Sequence, residues 1–194
     1  MRISMDSKTK WNKKYEIRIN NEEQNGPNPR LQSLSPFLLG GRALDIACGL
    51  GGNSLYLSKI GYQVEAYDIS DVAIHYLQEQ AQTRKLPVHA HVHDLTDWNN
   101  LKLKPFDLIV ITYYLDRSIF PFIQRLLADN GFLFVETFYK SPLTKVEGVS
   151  VSDQFKLQPG ELLKVFGDMK VLYFEENEQE SRQTILVRNK NLQH

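Results

Sequence analysis

The sequence predicts an α/β protein, a doubly wound, mostly parallel sheet of seven strands that ends in an antiparallel hairpin. Three observations predict it. Between residues 42 and 139, five short apolar runs rich in β-branched and aromatic residues alternate with other segments, several of them of helical period. A turn of small residues, in LDIACGLGGN (44–53), follows the first run. Two further runs close the chain with only a short acidic connection between them, too short for a crossover and long enough for a hairpin.

The elements follow in order. Residues 7–20 are polar, but Trp11, Tyr15 and Ile19 fall at i, i+4 and i+8, one face of a helix. NNEEQNGPNPR (20–30) is expected as a loop, because Gly26, Pro27 and Pro29 exclude regular structure. RALDIAC (42–48) is a buried strand, GNSLYLSKI (52–60) a short helix ended by Gly61, and YQVEAYDI (62–69) a second strand. Ser70 caps a helix over 71–85 that Pro87 closes off. VHAHVHD (88–94) and FDLIVITYY (106–114) are the third and fourth strands. A helix is expected over 116–129, ended or kinked in its first part by Pro121, and Asn130-Gly131 turns into a fifth strand over 131–139. Residues 139–153 have no useful period and are expected as a long surface loop. PGELLKVFG (159–167) is a helix with Pro159 in its first turn and Gly167 at its end. KVLYFEE (170–176) and SRQTILVRN (181–189) form the hairpin.

With 194 residues the chain is expected to form one domain, an N-terminal helix and lid segment over 1–30 and a core over 31–194. Lys+Arg and Asp+Glu both number 23, so no excess of positive charge marks it for nucleic acid. Cys48 is the only cysteine, which rules out an intrachain disulfide and a thiolate metal cluster. No stretch approaches the ~20 apolar residues of a membrane span, and the N-terminus has no signal-like apolar run. The expectation is a cytoplasmic protein, monomer or homodimer, with neither membrane nor nucleic acid as partner.

Chemistry concentrates at the carboxyl ends of the strands, where open α/β sheets bind ligands. Asp45 lies near the end of the first strand, Asp68 ends the second and Asp94 ends the third. Gly49 and Gly51 keep the turn behind Asp45 thin and free to take dihedrals that a side chain forbids. An acid after the second strand can accept both hydroxyls of a ribose, and one after the third can accept from an exocyclic amine. A pyrophosphate would be repelled by Asp45, and G-x-G-x-x-S over 49–54 lacks the third small residue of the dinucleotide fingerprint. A ligand carrying an ammonium and a sulfonium, and no phosphate, suits the acid better.

LDIACGLGGNS, AYDIS and HDLTDW resemble the three cofactor motifs of class I S-adenosylmethionine (SAM)-dependent methyltransferases, in the same order along nearly the whole chain. The resemblance implies a Rossmann-like methyltransferase fold with SAM as cofactor. It implies that Asp45, Ala47, Gly49 and Gly51 surround the methionine part, with Cys48 and Asn53 in the same turn. Asp68 would bind the ribose and Ile69 would lie against the adenine, whose edge Asp94 and Leu95 would read; Thr112 would lie beneath the methyl group. Ala47 stands where Gly is commoner, a change expected to cost little because Ala is nearly as small. WNKKY (11–15), GPNPRL (26–31) and FKLQPGELLKVFG (155–167) are similar to the small-molecule branch with tellurite-resistance and thiopurine-type methyltransferases. The implied reaction is methyl transfer to a small-molecule acceptor, with a soft sulfur, selenium or tellurium nucleophile as one class; no side chain stands out as a general base.

Simpler readings accompany each feature. Asp94 can equally cap the turn that follows it. His89, His91 and His93 alternate with Val88, Ala90 and Val92, and read as the wetter face of an edge strand, with no metal expected. Cys48 reads as a small packed hydrophobe. Trp11 and Tyr15 are either core contacts of the first helix or an aromatic lid over the cofactor. Tyr113 and Tyr114 either line the acceptor side or simply end the fourth strand. For the chain as a whole the alternatives are a SAM-binding sensor without turnover and, less favoured, an NAD-dependent oxidoreductase.

Overall fold

The structure is a computed structural model that describes residues 3–23, 25–98, 101–143 and 151–190. The chain divides into two units, Met1–Leu103 and Lys104–His194.

The first unit contains α1 (Ile3–Asn20), α2 (Pro29–Ser33), β1 (Gly41–Ile46), α3 (Gly52–Lys59), β2 (Tyr62–Asp68), α4 (Asp71–Thr83) and β3 (Val88–Val92). Its strands are parallel in the order β3-β2-β1. Ala43 to Ile46 of β1 are all buried, the mark of a parallel strand covered on both faces, where alternation has no meaning. Ser70 caps α4 as expected, its hydroxyl accepting from the Ala73 N–H at 3.1 Å. Ala73, Ile74, Leu77 and Ala81 form the buried stripe of that helix.

One expectation fails in this unit. Pro29 does not exclude regular structure; it starts α2. A proline at the first helical position has no N–H to leave unpaired. Asn28 Oδ1 accepts from the N–H groups of Arg30 and Leu31 at 2.9 and 3.0 Å, so the loop ends in a capped helix.

The second unit contains β4 (Phe106–Thr112), α5 (Phe120–Leu126), β5 (Leu127–Phe138), α6 (Glu161–Phe166), β6 (Lys170–Asn177) and β7 (Arg182–Arg188). β4 and β5 are parallel, β5–β7 and β7–β6 antiparallel, in the order β4-β5-β7-β6. The seven strands and the antiparallel C-terminal pair match the predicted class.

The expected helix over 116–129 is shorter than its composition implied. Asp116 caps a 3-10 turn, Pro121 falls harmlessly in the first turn of α5, and the helix stops at Leu126. Leu127 already pairs with Phe106, and a register shift separates that pair from Leu108–Phe132. Pairing to β4 thus overrides the helical preference of LLAD. Gly131 lies so close to the carbonyls of Phe106 and Ala128 that a Cβ there would approach them to 2.9 and 3.0 Å. Of the expected surface loop, residues 144–150 lie outside the described residues, while Tyr139 bridges to Leu157. Pro159 precedes α6, which has Gly160 at its N-cap. Among the described residues no helix is long and apolar enough to cross a membrane.

Gln183 of β7, fully buried, ties α6 to the hairpin. Its Oε1 accepts from the Leu162 N–H at 2.7 Å, and its Nε2 donates to the Gln158 carbonyl at 3.1 Å and to Glu176 Oε1 at 2.5 Å. Gln183→Leu leaves the buried Leu162 N–H without its partner and removes the bonds to Gln158 and Glu176. A loss of about 2–3 kcal/mol is expected, seen in thermal unfolding as a fall of roughly 4–12 °C. An unchanged midpoint would show that these bonds contribute little.

Candidate functional site

The three predicted acids occupy different environments. Asp45 is fully buried at the end of β1. Ser54 of α3 donates its hydroxyl to Oδ2 at 2.5 Å, whereas Oδ1 is buried with no hydrogen-bond partner among the described residues. A buried acceptor left unpaired costs about 1–3 kcal/mol, and more when charged. Desolvation pushes the Asp45 carboxyl up to about 7, opposed by the Ser54 hydrogen bond and reinforced by the Asp68 carboxylate.

Asp68, also buried, is held at both oxygens. The Gly49 N–H donates to Oδ2 and the Ser70 N–H to Oδ1, each at 2.9 Å. Burial raises its proton affinity and those backbone N–H groups lower it again. A carboxylate has about four lone-pair sites, so two N–H bonds leave capacity for hydroxyl donors. Asp68 therefore links the strand-2 end to the turn that follows β1.

The glycines behave in one respect as expected and in another not. Gly49 and Gly51 both lie in the left-handed region, with φ of 54° and 79°. The space above them is filled by the protein itself. A Cβ on Gly49 would lie 2.8 Å from the Tyr15 hydroxyl, and one on Gly51 would run into the Leu77 side chain of α4. The turn is thin so that α1 and α4 can close upon it. Ala47 corrects a second expectation. Its φ is 57°, so the departure from Gly costs backbone strain of about 1–2 kcal/mol, where size alone predicted almost nothing.

Trp11 and Tyr15 stack with ring centroids 5.7 Å apart. Tyr15 is buried with Leu50 and Ala73, and Trp11, Ile19, Val72 and Tyr76 pack around them. Burial first, and then Asp68, pushes the Tyr15 phenol far above its ordinary range. The aromatic face of α1 is thus core, and it lies directly on the Gly49 turn. Asn12 fixes the helix there: Ser70 Oγ donates to its Oδ1 at 2.7 Å, and its Nδ2 donates to Asp71 Oδ1 at 2.6 Å.

The remaining candidates are placed as follows. Cys48 is half-buried, its thiol pushed well up by desolvation and by the Asp45 and Asp68 carboxylates, which agrees with a packing role. Asn53 Oδ1 accepts from the Asn28 N–H at 2.8 Å, and Asn25 Nδ2 donates to the Leu50 carbonyl at 2.6 Å. The loop before α2 is therefore sewn to the glycine turn. Ile69 is half-buried and Leu95 buried. Asp94 Oδ1 accepts from both the N–H and the hydroxyl of Thr96, at 3.0 and 2.8 Å, the capping geometry of the simpler reading. His91 faces Glu65 at 2.8 Å and stacks on Tyr67, and His93 Nε2 meets the Asp97 carbonyl at 2.7 Å. Val92, expected on a buried face, is 45% exposed.

Thr112, Tyr113 and Tyr114 belong to the second unit. Thr112 ends β4 half-buried. Tyr113, 42% exposed, takes a left-handed φ of 57°, and its hydroxyl donates to the fully buried Glu136 at 2.8 Å. Glu136 also accepts from Thr184 Oγ1 at 2.8 Å, and the Arg182 guanidinium lies 5.1 Å over the Tyr113 ring. Ser54, Asn12 and Glu136 were not singled out from the sequence. Ser54 sits in the first turn of α3, and only the fold shows that its hydroxyl meets Asp45.

The sequence model described as "TehB: Tellurite resistance protein TehB" matches residues 5–190. The "Probable S-adenosyl-L-methionine-dependent methyltransferase TehB" of Haemophilus influenzae is 29% identical over 90 residues, 46% of this chain and 32% of that protein. The match thus spans about a third of that relative's length. The crystal structure of TehB from Haemophilus influenzae superposes with a TM-score of 0.73 at 22% identity, covering 84% of this chain and 62% of that one. A TehB-like SAM-dependent methyltransferase from Corynebacterium glutamicum gives 0.65 at 20% identity, covering 93% and 98%. These likenesses show the Rossmann-like methyltransferase fold.

The buried carboxyl of Asp45 makes a stability prediction. A folded pKa raised to about 7 from 3.8 means that the folded state holds the proton more tightly. Its stabilisation is fully present below about pH 4 and is lost as pH rises towards 7. Asp45→Asn stays neutral throughout. In urea titrations of ligand-free protein, the variant should gain on the wild type by on the order of 4 kcal/mol at most between pH 4 and 7, and no more above it. Parallel curves would show that Asp45 is ionised at no cost.

Proposed function

The chain belongs to the TehB family of tellurite resistance proteins, and from that premise we propose that it is a SAM-dependent methyltransferase acting on a small molecule. The observation that carries the reading is the unpaired Oδ1 of Asp45, buried in front of a turn whose Gly49 N–H is bonded to Asp68. An anionic pyrophosphate gains nothing there, while a ligand ammonium supplies the missing donor and the opposite charge.

When bound, SAM supplies a methyl group activated on a sulfonium. The chain's own residues do the rest by holding and shielding. Asp45, with Ala47, Cys48, Gly49, Gly51 and Asn53, would hold the methionine part, and Asp68 the ribose hydroxyls. Ile69, Asp94 and Leu95 would flank the adenine. Tyr15, with Trp11 stacked on it, lies against the Gly49 turn and would keep water from the Asp45 side. Exclusion of water strengthens every charge interaction within the site. Methyl transfer to a soft nucleophile needs orientation more than proton movement. For the acceptor we infer a sulfur, selenium or tellurium nucleophile, in keeping with the family's name; Tyr113 and Tyr114 would be acceptor-side residues, and Thr112 would serve the methyl group of the cofactor. A cytoplasmic setting suits such a substrate.

Calorimetry with SAM, S-adenosylhomocysteine and NAD tests the cofactor. Binding of both sulfur ligands and not of NAD is expected; the opposite pattern overturns the reading. Asp68→Ala removes a charged acceptor and should weaken SAM by about tenfold or more, and an unchanged affinity takes the ribose role from that residue. Turnover is to be measured across thiols, selenite and tellurite, and silence across the whole panel would contradict an enzyme for soft nucleophiles.

A further inference from the structure

We propose that a proton and the ligand's ammonium compete for Asp45, so that the empty site stores a proton on this side chain and cofactor binding expels it. The inference rests on the reading of this turn as a SAM site and extends it to the control of occupancy by pH. Its basis is geometric. Asp45 is fully buried, with the Ser54 hydroxyl on one oxygen and no partner among the described residues on the other. The groups that face it are the Asp68 carboxylate from β2, the Cys48 thiol from the turn, the Tyr15 phenol from α1 and the Ser54 hydroxyl from α3. None of them is cationic. An ionised Asp45 in the empty site would therefore lie beside a second carboxylate, with no counter-charge and one oxygen bare.

The two carboxylates are not equivalent. Asp68 receives a backbone N–H on each oxygen, bonds that favour its ionised form against the upward push of burial. Asp45 draws its donors from Ser54 alone and its Oδ1 has none among the described residues, so the proton of the pair resides on Asp45. Burial and Asp68 together push its carboxyl up to about 7. The exchange balances in atoms and charge. The O–H bond of protonated Asp45 breaks, the proton passes to solvent, and the ammonium of the incoming ligand bonds to the carboxylate that remains. Binding should then weaken by up to tenfold per pH unit below about 7.

The experiment is calorimetric titration of full-length protein with S-adenosylhomocysteine, which carries the ammonium without the sulfonium, and with SAM. Each is run at pH 6 and pH 7 in buffers of low and high ionisation enthalpy. The dependence of the observed heat on buffer counts the protons released. Close to one proton is expected at pH 6 and about half of one at pH 7 for both ligands. Ser54→Ala removes the side-chain donor on Asp45 and leaves the Ser54 backbone N–H, raises the proton affinity of Asp45, and should move the release at pH 7 towards one. Asp45→Asn, wherever it still binds, should release none; a full proton from that variant would assign the release to Asp68 and overturn the proposal. Tight binding by the wild type with no proton release at pH 6 overturns it while leaving the cofactor reading intact. Failure of both sulfur ligands to bind removes the cofactor reading and the proposal with it.

Discussion

The site depends on a carboxylate taken out of water and only half compensated. Burying an ionised group costs several kcal/mol unless its lone pairs find donors. Ser54 supplies the donors to Asp45, and the described residues supply none to its Oδ1. Everything around Asp45 follows from that deficit. Its neighbour Asp68 receives a backbone N–H on each oxygen, which favours its ionised form over that of Asp45. The turn between them is short and tightly bonded, which holds the two acids in place. A group that carries positive charge and hydrogen-bond donors completes such an arrangement better than any anion could.

The same turn explains the N-terminal helix. α1 has no strong apolar stripe, yet it is anchored at defined points. Asn12 joins it to the N-cap serine of α4, Lys8 pairs with Asp71 at 2.9 Å, and Tyr15 settles over Gly49. The half-exposed Lys8–Asp71 pair is worth little by itself; the buried tyrosine carries more of the attachment. Because Ser70 joins Asn12 to Asp68 through its hydroxyl and its N–H, a shift of α1 is felt at the carboxylate proposed to bind the ribose. Covering and binding are thus parts of one bonded network in this unit.

Much of this was legible in the sequence. Asp45 lies near the end of one apolar run and Asp68 ends another, so the run pattern placed them at or near strand ends. Ser70 announced the start of α4 by its position before a helical pattern. The left-handed turn was legible from Gly49 and Gly51, but not its filling, since Tyr15 and Leu77 reach it only through tertiary packing. Ala47 misled because residue size is visible in a sequence and backbone dihedral is not. The early start of β5 was hidden because LLAD has good helical propensity, and only pairing with β4 decides against it. Glu136 was overlooked for a related reason: a lone acid in an apolar strand gives no sign of whether Tyr113 and Thr184 will be there to receive it. Long-range partners escaped the sequence, whereas local chemistry did not.

The central claim is that the turn after β1 is built around a missing positive charge at Asp45. The most direct measurement compares the affinity of S-adenosylhomocysteine with that of its deaminated counterpart, which lacks only the α-ammonium. Loss of that group should weaken binding by at least about tenfold, the worth of a charged hydrogen bond in a buried site. Equal affinities for the two ligands would contradict a site organised around Asp45.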